Sequence, residues 1–284
     1  MNDASHKPAL YLVATPIGNL EDITLRAIRT LKEVDLIACE DTRQTQKLLS
    51  HYGIEKRTTS YHEHNELTRS AELIMQLEQG ESIALVTDAG MPGISDPGYR
   101  LVALAIRHHI PVVPIPGPSA FLAALVASGL PTDSFRFNGF LPEKSGKRCK
   151  LLESVKASQR TQIFYEAPHR LIESLQDVVD VLGPMRHVVV AREVTKIYEE
   201  FVRGQARDVL EGMKLRDEIR GEITLLIGKE EDHGTPVLEQ KNVRTRIRDL
   251  MKTEGLDEKE AMKRLAKEMG VSKSEVYREL QKGK

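Results

Sequence analysis

Short apolar runs rich in β-branched residues alternate along most of this chain with segments whose apolar residues recur three or four apart, and that alternation leaves few folds open. The runs are LYLVA (10 to 14), DLIAC (35 to 39), IALVT (83 to 87), PVVPI (111 to 115), TQIFY (161 to 165), HVVVA (187 to 191) and ITLLIG (223 to 228). Each has the length and the Val and Ile content of a buried strand. Helix-period segments such as LRAIRTLKEV (25 to 34), LTRSAELIMQLEQG (67 to 80) and HRLIESLQDVVDVLG (169 to 183) fall between them, with Gly80 and Gly183 placed as C-terminal stops. The pattern predicts an α/β body with mainly parallel sheets, in two lobes that meet near residues 116 to 130. At 284 residues the chain is also longer than one core usually supports, and 40% hydrophobic with 29% charged content is ordinary for a globular enzyme.

Three of the predicted strands run into loops dense in Gly and Pro: TPIGN (15 to 19), DAGMPGISDPG (88 to 98) and PGPSA (116 to 120). In open α/β sheets the ligand crevice lies beyond the carboxyl ends of the strands, where these loops fall. Gly lets a ligand reach main-chain N–H and C=O groups, and Pro holds a loop in one shape. The chain has neither GxGxxG nor GxxxxGK[ST], so the usual dinucleotide and triphosphate fingerprints are missing. The loops carry no Lys or Arg, while Glu21, Asp22, Asp88 and Asp96 stand in or beside them. A pyrophosphate would meet carboxylates there. A ligand with positive charge and with hydroxyl and ammonium donors suits the loops better, and S-adenosylmethionine is such a ligand.

The runs LYLVATPIGNLEDIT, EDTRQTQKLL, VTDAGMPGISDPG, IPGPSA, FNGFLPEK, IFYEAPHR, REVTKIYEEFVRG and RGEITLLIG, in that order, resemble the ribosomal RNA small subunit methyltransferase I family of the tetrapyrrole-methylase superfamily. The resemblance covers about residues 8 to 230, with Thr87 and Met91 as mild departures. It implies a two-lobed tetrapyrrole-methylase-like fold with the cofactor in the inter-lobe cleft, a homodimer, and transfer of a methyl from S-adenosylmethionine to the ribose 2′-hydroxyl of a decoding-centre cytidine in 16S rRNA. It places the cofactor against Pro16, Gly18, Asp88, Ala89, Gly90, Ser119 and Ala120, with Tyr165 and Thr224 on the adenine side. Methylation of a tetrapyrrole carbon and a non-catalytic RNA-binding assembly role are the alternatives.

A ribose hydroxyl is a weak nucleophile, so a carboxylate is expected to take its proton. Glu166, Glu193 and Asp41 follow predicted strands and are the candidate bases, and Lys196 and Arg192 are candidates to steady neighbouring phosphates. The other reading of Arg192, Glu193 and Lys196 is an ordinary ion-pair cluster. The stretch EKSGKRCK (143 to 150) reads as a loop offering Lys144, Lys147, Arg148 and Lys150 to an RNA backbone.

The domains expected are an N-terminal lobe (8 to 121), a C-terminal lobe (122 to 230), a linker (231 to 241) and a helical appendage (242 to 284). Residues 241 to 284 hold thirteen Lys and Arg against eight Asp and Glu, net +5, while the first 240 positions net −6. A polyanion would be drawn to the tail first. There Ala261, Met262, Leu265, Ala266 and Met269 form one helix face, and Lys263, Arg264 and Lys267 lie opposite. Ser272 and Glu275 have the spacing of a capping box for a second helix bearing Val276, Tyr277 and Leu280. Cys39 and Cys149 are too few for a disulfide framework, His62 and His64 with Glu66 lack a converging ligand set, and no metal is expected. No apolar run approaches the roughly 20 residues of a membrane helix, and the N-terminus lacks the layout of a secretion signal, so a cytoplasmic protein is expected.

Overall fold

The computed structural model describes residues 8–229, 247–248, 250–252 and 255–268. The chain divides into two compact units, Met1–Asp232 and His233–Lys284, and the first carries two five-stranded sheets.

The first sheet is built from β1 (Leu10–Val13), β2 (Leu36–Cys39), β3 (Thr58–Ser60), β4 (Ile83–Val86) and β5 (Val112–Ile115), in the order β3-β2-β4-β1-β5. All its pairings are parallel. Parallel strands need crossovers, and the helices α1 (Leu25–Glu33), α2 (Thr42–His51), α3 (Glu66–Glu78) and α4 (Tyr99–Arg107) supply them on both faces. The two-residue period of the strands divides the core between those faces. Tyr11, Val13, Ile37, Cys39, Ala84 and Val86 pack with Ala27 and Leu31 of α1 and Leu49 of α2. Their neighbours Leu10, Leu36, Ala38, Ile83 and Leu85 pack with Leu73 and Leu77 of α3 and Leu101 of α4. Local signals start the helices: Thr24 Oγ1 accepts the Ala27 N–H at 3.1 Å, and Asp41 Oδ1 accepts the Arg43 N–H at 2.8 Å.

After β5 the chain leaves this sheet. Helix α5 (Ala120–Ser128) packs through Ala124 and Leu125 against Ile163, Val189, Ala191 and Leu226 of the second sheet. That sheet contains β6 (Phe135–Phe140), β7 (Thr161–Glu166), β8 (His187–Arg192), β9 (Glu200–Gln205) and β10 (Ile223–Ile227), in the order β6-β7-β10-β8-β9. Its opposite face carries α6 (Ser145–Val155), α7 (Leu171–Leu182) and α8 (Ala206–Lys214) over Phe164, Val188, Val190 and Leu225. The expectation of mainly parallel sheets fails here. Only β6 and β7 run parallel: β10, the last strand among the described residues, inserts antiparallel between β7 and β8, and β9 pairs antiparallel with β8.

The run 143 to 150 is also corrected, since Ser145–Val155 is helical and Arg148 is 1% exposed. Arg148 Nε donates to Asp177 Oδ2 at 2.6 Å, and its Nη1 donates to the Pro142 and Glu143 carbonyls at 3.3 and 3.2 Å. Its fork is committed to holding α6 on α7, which withdraws it from any RNA contact, whereas Lys144, Lys147 and Lys150 are exposed.

In the second unit, α9 (Glu258–Glu268) begins at a reciprocal capping box: Asp257 Oδ1 accepts the Glu260 N–H at 2.7 Å, and the Asp257 N–H points to Glu260 Oε2 at 3.5 Å. Ala261, Met262, Leu265 and Ala266 form a small core with Ile247, Leu250 and Leu256. Lys263 and Arg264 are exposed. The linker, the Ser272–Glu275 box with its helix, Met269 and the Lys267 side chain lie outside the described residues.

Replacing Arg148 by Ala leaves Asp177 without its buried partner, and the expected loss of stability is about 3 kcal/mol. Lys147→Ala should shift stability by under about 0.5 kcal/mol. Denaturant midpoints of the two variants measure the difference.

Candidate active site

The loops that follow β1, β4 and β5 meet in one place. Thr15 and Gly90 exchange backbone hydrogen bonds at 2.9 and 3.1 Å, and Thr15 Oγ1 donates to the Thr87 carbonyl at 2.9 Å. Gly90 takes φ +86, a conformation that favours glycine. A Cβ on Gly117 would lie 2.8 Å from that of Ala14, so the third loop seats on the first only because it has none.

Beside these loops a cavity of ≈ 320 Å³ opens between the two sheets. Of the residues expected against a cofactor, Ala89, Gly90, Ser119, Ala120, Tyr165 and Thr224 line it. Ser119 N-caps α5, so a main-chain helix terminus faces the cavity. Pro16, Gly18 and Asp88 line instead an adjoining depression of ≈ 460 Å³, which shares Ile17, Ala89 and Glu222 with the cavity. Among the described residues no Lys, Arg or His lines the cavity, whereas Asp96, Glu166 and Glu222 do.

Phe140, which the sequence did not single out, joins the wall, with Phe137 packed behind Tyr165. Phe140 sets its ring 5.5 Å from Tyr165, and Phe137 approaches Tyr165 at 5.0 Å, both edge-on. Burial raises the Tyr165 phenol above its ordinary value, and Asp96 and Glu222 add to the effect. Phe140 was missed because FRFNGF places Asn138 and Gly139 inside a strand. The register shifts between Phe137 and Phe140, and Gly139 has φ +70.

The candidate bases are heavily engaged. Glu166, fully buried, accepts the Ala167 N–H at 2.7 Å and the Arg170 guanidinium at 2.8 Å through Oε1, and the Ser174 hydroxyl through Oε2. Asp41 caps α2 and pairs with Arg43, which holds its carboxyl below the ordinary value. Glu193 sits at φ +52 and clamps the start of β10: its N–H donates to the Glu222 carbonyl, and its Oε1 accepts the Glu222 N–H, each at 2.9 Å.

Lys196 Nζ reaches Glu193 at 2.8 Å and Glu222 at 3.3 Å. Burial, the largest single effect, opposes charge on both Glu193 and Lys196, but their pairing together with Glu222 and Arg192 outweighs it, lowering the acid and raising the amine. The Lys196 stem lies where a Cβ on Gly18 would sit, 2.3 Å from Lys196 Cγ, so Gly18 is the seat of that side chain. Arg192 Nε pairs with Glu200 at 3.1 Å. Arg192, Glu193 and Lys196 are therefore members of ion pairs, with Lys196 alone of the three at the rim of the adjoining depression.

The chain is similar to known proteins throughout. A family model described as Tetrapyrrole (Corrin/Porphyrin) Methylases matches residues 9–210. The ribosomal RNA small subunit methyltransferase I of Halalkalibacterium halodurans is 50% identical over 276 residues, covering 95% of this chain and 94% of its own. The protein of that name from Bacillus subtilis is 46% identical over 280 residues, covering 97% and 95%. Among solved structures, a diphthine synthase superposes with a TM-score of 0.61 at 13% identity, covering 78% of this chain and 90% of its own. A uroporphyrin-III C-methyltransferase from Thermus thermophilus gives 0.56 at 19% identity, covering 78% and 95%.

Glu200 ties the cluster to Arg216 and Arg192. Those guanidiniums, Arg216 foremost and against the effect of burial, hold its carboxyl at about 2, below its ordinary 4.5. A depressed folded-state value stabilises the fold above the unfolded value, and the gain is lost as pH falls from 4.5 towards 2. Glu200→Gln should therefore flatten the acid limb of the stability profile in that window, read by thermal melts across pH.

Proposed function

Because the chain belongs to the ribosomal RNA small subunit methyltransferase I family and carries its tetrapyrrole-methylase domain, we propose that it moves a methyl group from S-adenosylmethionine to the ribose 2′-hydroxyl of a decoding-centre cytidine in 16S rRNA. The observation that carries this reading is a cavity bordered by apolar side chains, small loop residues and the carboxyl-bearing Asp96, Glu166 and Glu222, with no cationic residue among the described residues that line it. Such a wall suits a sulfonium and an ammonium and repels a pyrophosphate. Its volume falls at the lower end of the range of small-molecule sites.

The residues fit the donor group by group. Ala89 and the α5 terminus at Ser119 and Ala120 offer backbone donors and acceptors, Gly90 lets the ligand approach the loop closely, and Tyr165, Phe140 and Thr224 offer a ring face and a hydroxyl to the adenosine. When bound, S-adenosylmethionine supplies a methyl made electrophilic by its sulfonium. The chain's contribution is to hold the acceptor hydroxyl in line with that carbon and to keep bulk water out. Glu166, with its lone pairs occupied, fixes the turn after β7. Glu193 and Lys196 fix the start of β10, on which Thr224 stands.

The acceptor is the small ribosomal subunit or its RNA, the enzyme works as a cytoplasmic homodimer, and Lys144, Lys147, Lys263 and Arg264 are the contacts for phosphate, with Lys267 assigned there by its helical spacing. Methylation of a tetrapyrrole carbon is the weaker reading. The relatives with about half their residues identical bear the ribosomal RNA name, whereas the uroporphyrin enzyme shares 19%.

Calorimetry should detect S-adenosylmethionine binding to the isolated protein, and purified small subunits lacking the modification should gain one methyl that maps to a cytidine ribose. Absence of binding heat, or a methyl on a base or a tetrapyrrole, would overturn the reading. Deleting residues 242 to 284 should weaken RNA binding and flatten its salt dependence with cofactor affinity intact. Equal RNA affinity in the truncated protein would remove the tail from the interface.

A further inference from the structure

The turn joining β8 to β9 is strained and tightly held. Glu193 and Thr195 take φ +52 and +70, a region that disfavours residues with a Cβ. The Lys196 N–H donates to the Glu193 carbonyl at 2.9 Å, the Glu199 N–H to the Lys196 carbonyl at 3.1 Å and the Thr195 N–H to Glu199 Oε2 at 2.7 Å. The Lys196 stem, seated on Gly18, ties the turn to the loop after β1. At the tip of this fixed turn stand two large side chains with almost nothing over them, Ile197 at 94% exposed and Tyr198 at 72%.

Their place says what covers them. Val194 lines the cavity and Lys196 the adjoining depression, and the Tyr198 Cα follows within about 7 Å of that of Lys196. Another wall of the depression is α2, through Gln44, Thr45, Lys47 and Leu48. That helix contains no acidic residue. Lys47 bonds to the neutral Gln44 Oε1 at 3.1 Å and pairs with no carboxylate among the described residues. The carboxylates nearby are engaged: Asp88 accepts the Asp41 N–H at 3.2 Å, Glu222 faces Lys196, Glu199 is turned back onto Thr195, and Glu200 is held by Arg216 and Arg192. An exposed ring beside an unmatched lysine suits a polyanion with flat bases, whereas the centres of protein interfaces are poor in lysine.

We propose that Tyr198, flanked by Ile197, is a stacking platform for an unpaired RNA base next to the nucleotide that enters the cleft, with Lys47 taking a phosphate beside it. This rests on the ribosomal RNA reading above and names a substrate-binding residue outside the cofactor cavity. A ribose hydroxyl reaches a methyl held between the two sheets only if its nucleotide leaves the stack. The neighbouring base then loses a partner, and an aromatic ring replaces it. The tyrosine has few rotors to order, and the hydrogen-bonded turn has already fixed its Cα. Every base has a π-face, so the platform sets position and affinity and leaves sequence choice to other contacts.

The chain has no tryptophan, so Tyr198→Trp made with 5-hydroxytryptophan sets one fluorophore at the tip, excitable apart from the tryptophans of ribosomal proteins. In the full chain, unmodified small subunits should quench it, and protein concentration alone should not. In single-turnover methylation, Tyr198→Ala should raise the half-saturating subunit concentration roughly 10-fold, with S-adenosylmethionine affinity and melting temperature unchanged, and Tyr198→Trp should restore it. Lys47→Ala should lower the salt slope of subunit binding by about one. A fluorophore that subunits leave unquenched, or wild-type saturation by Tyr198→Ala, would overturn the inference while the methyl-transfer reading stood. Emission that follows protein concentration and ignores subunits would overturn it in favour of a second copy of the chain on the tip, and an unchanged salt slope would strike Lys47 from it. A wild-type protein that binds cofactor but methylates no ribose would instead fail the methyl-transfer reading, and this inference with it.

Discussion

The short antiparallel clasp between Thr15 and Gly90 is the constraint on which the site depends. The two parallel strands beneath it, β1 and β4, are adjacent in the sheet though far apart in sequence, and their exits would otherwise diverge. Two backbone hydrogen bonds and the Thr15 hydroxyl bind the exits to each other. Gly117, lacking a side chain, then lets the third loop settle on Ala14. The main-chain surface so formed has few soft dihedrals left, which is what a site that binds through backbone groups requires.

Charge is handled differently on the two sides of the cleft. The first sheet contributes Glu40, Asp88 and Asp96 with no cationic partner among the described residues, and burial, with Glu40 beside it, lifts the Asp96 carboxyl to about 6. The second sheet contributes carboxylates as well, but each is matched: Glu166 by Arg170, Glu193 and Glu222 by Lys196, Glu200 by Arg216 and Arg192. Matched pairs hold geometry, as the clamp on Glu222 does for the start of β10.

Much of the architecture was legible in the residues. Every apolar run named from the sequence became a strand, and the loops chosen by their Gly and Pro content, together with their lack of cations, are those that form the cavity. The strands that escaped notice share a cause: TTS is polar and at a sheet edge, FRFNGF is broken by a bulge, and EFVRGQ is an edge strand interrupted by Arg203 and Gly204. None offers the apolar run that pattern reading needs. Arg148 was read as exposed because a basic stretch with a glycine resembles a loop, and only the packing of α6 on α7 shows why an arginine is buried there. Asp96 was noted only as a charge in its loop. Its character comes first from burial and then from Glu40, both of which arise through tertiary structure and leave no local mark.

The placement of β10 has a consequence for biosynthesis. The central strand of the second sheet is also the last of that sheet's described strands to leave the ribosome, and Thr224, Ile223 and Glu222 come with it. Until that segment emerges, β7 and β8 lack their common neighbour and one wall of the cavity does not exist. A nascent or prematurely terminated chain can complete its first sheet, but has no assembled pocket in which to engage a donor. The enzyme's competence is thereby tied to the near-complete synthesis of its two-sheet body.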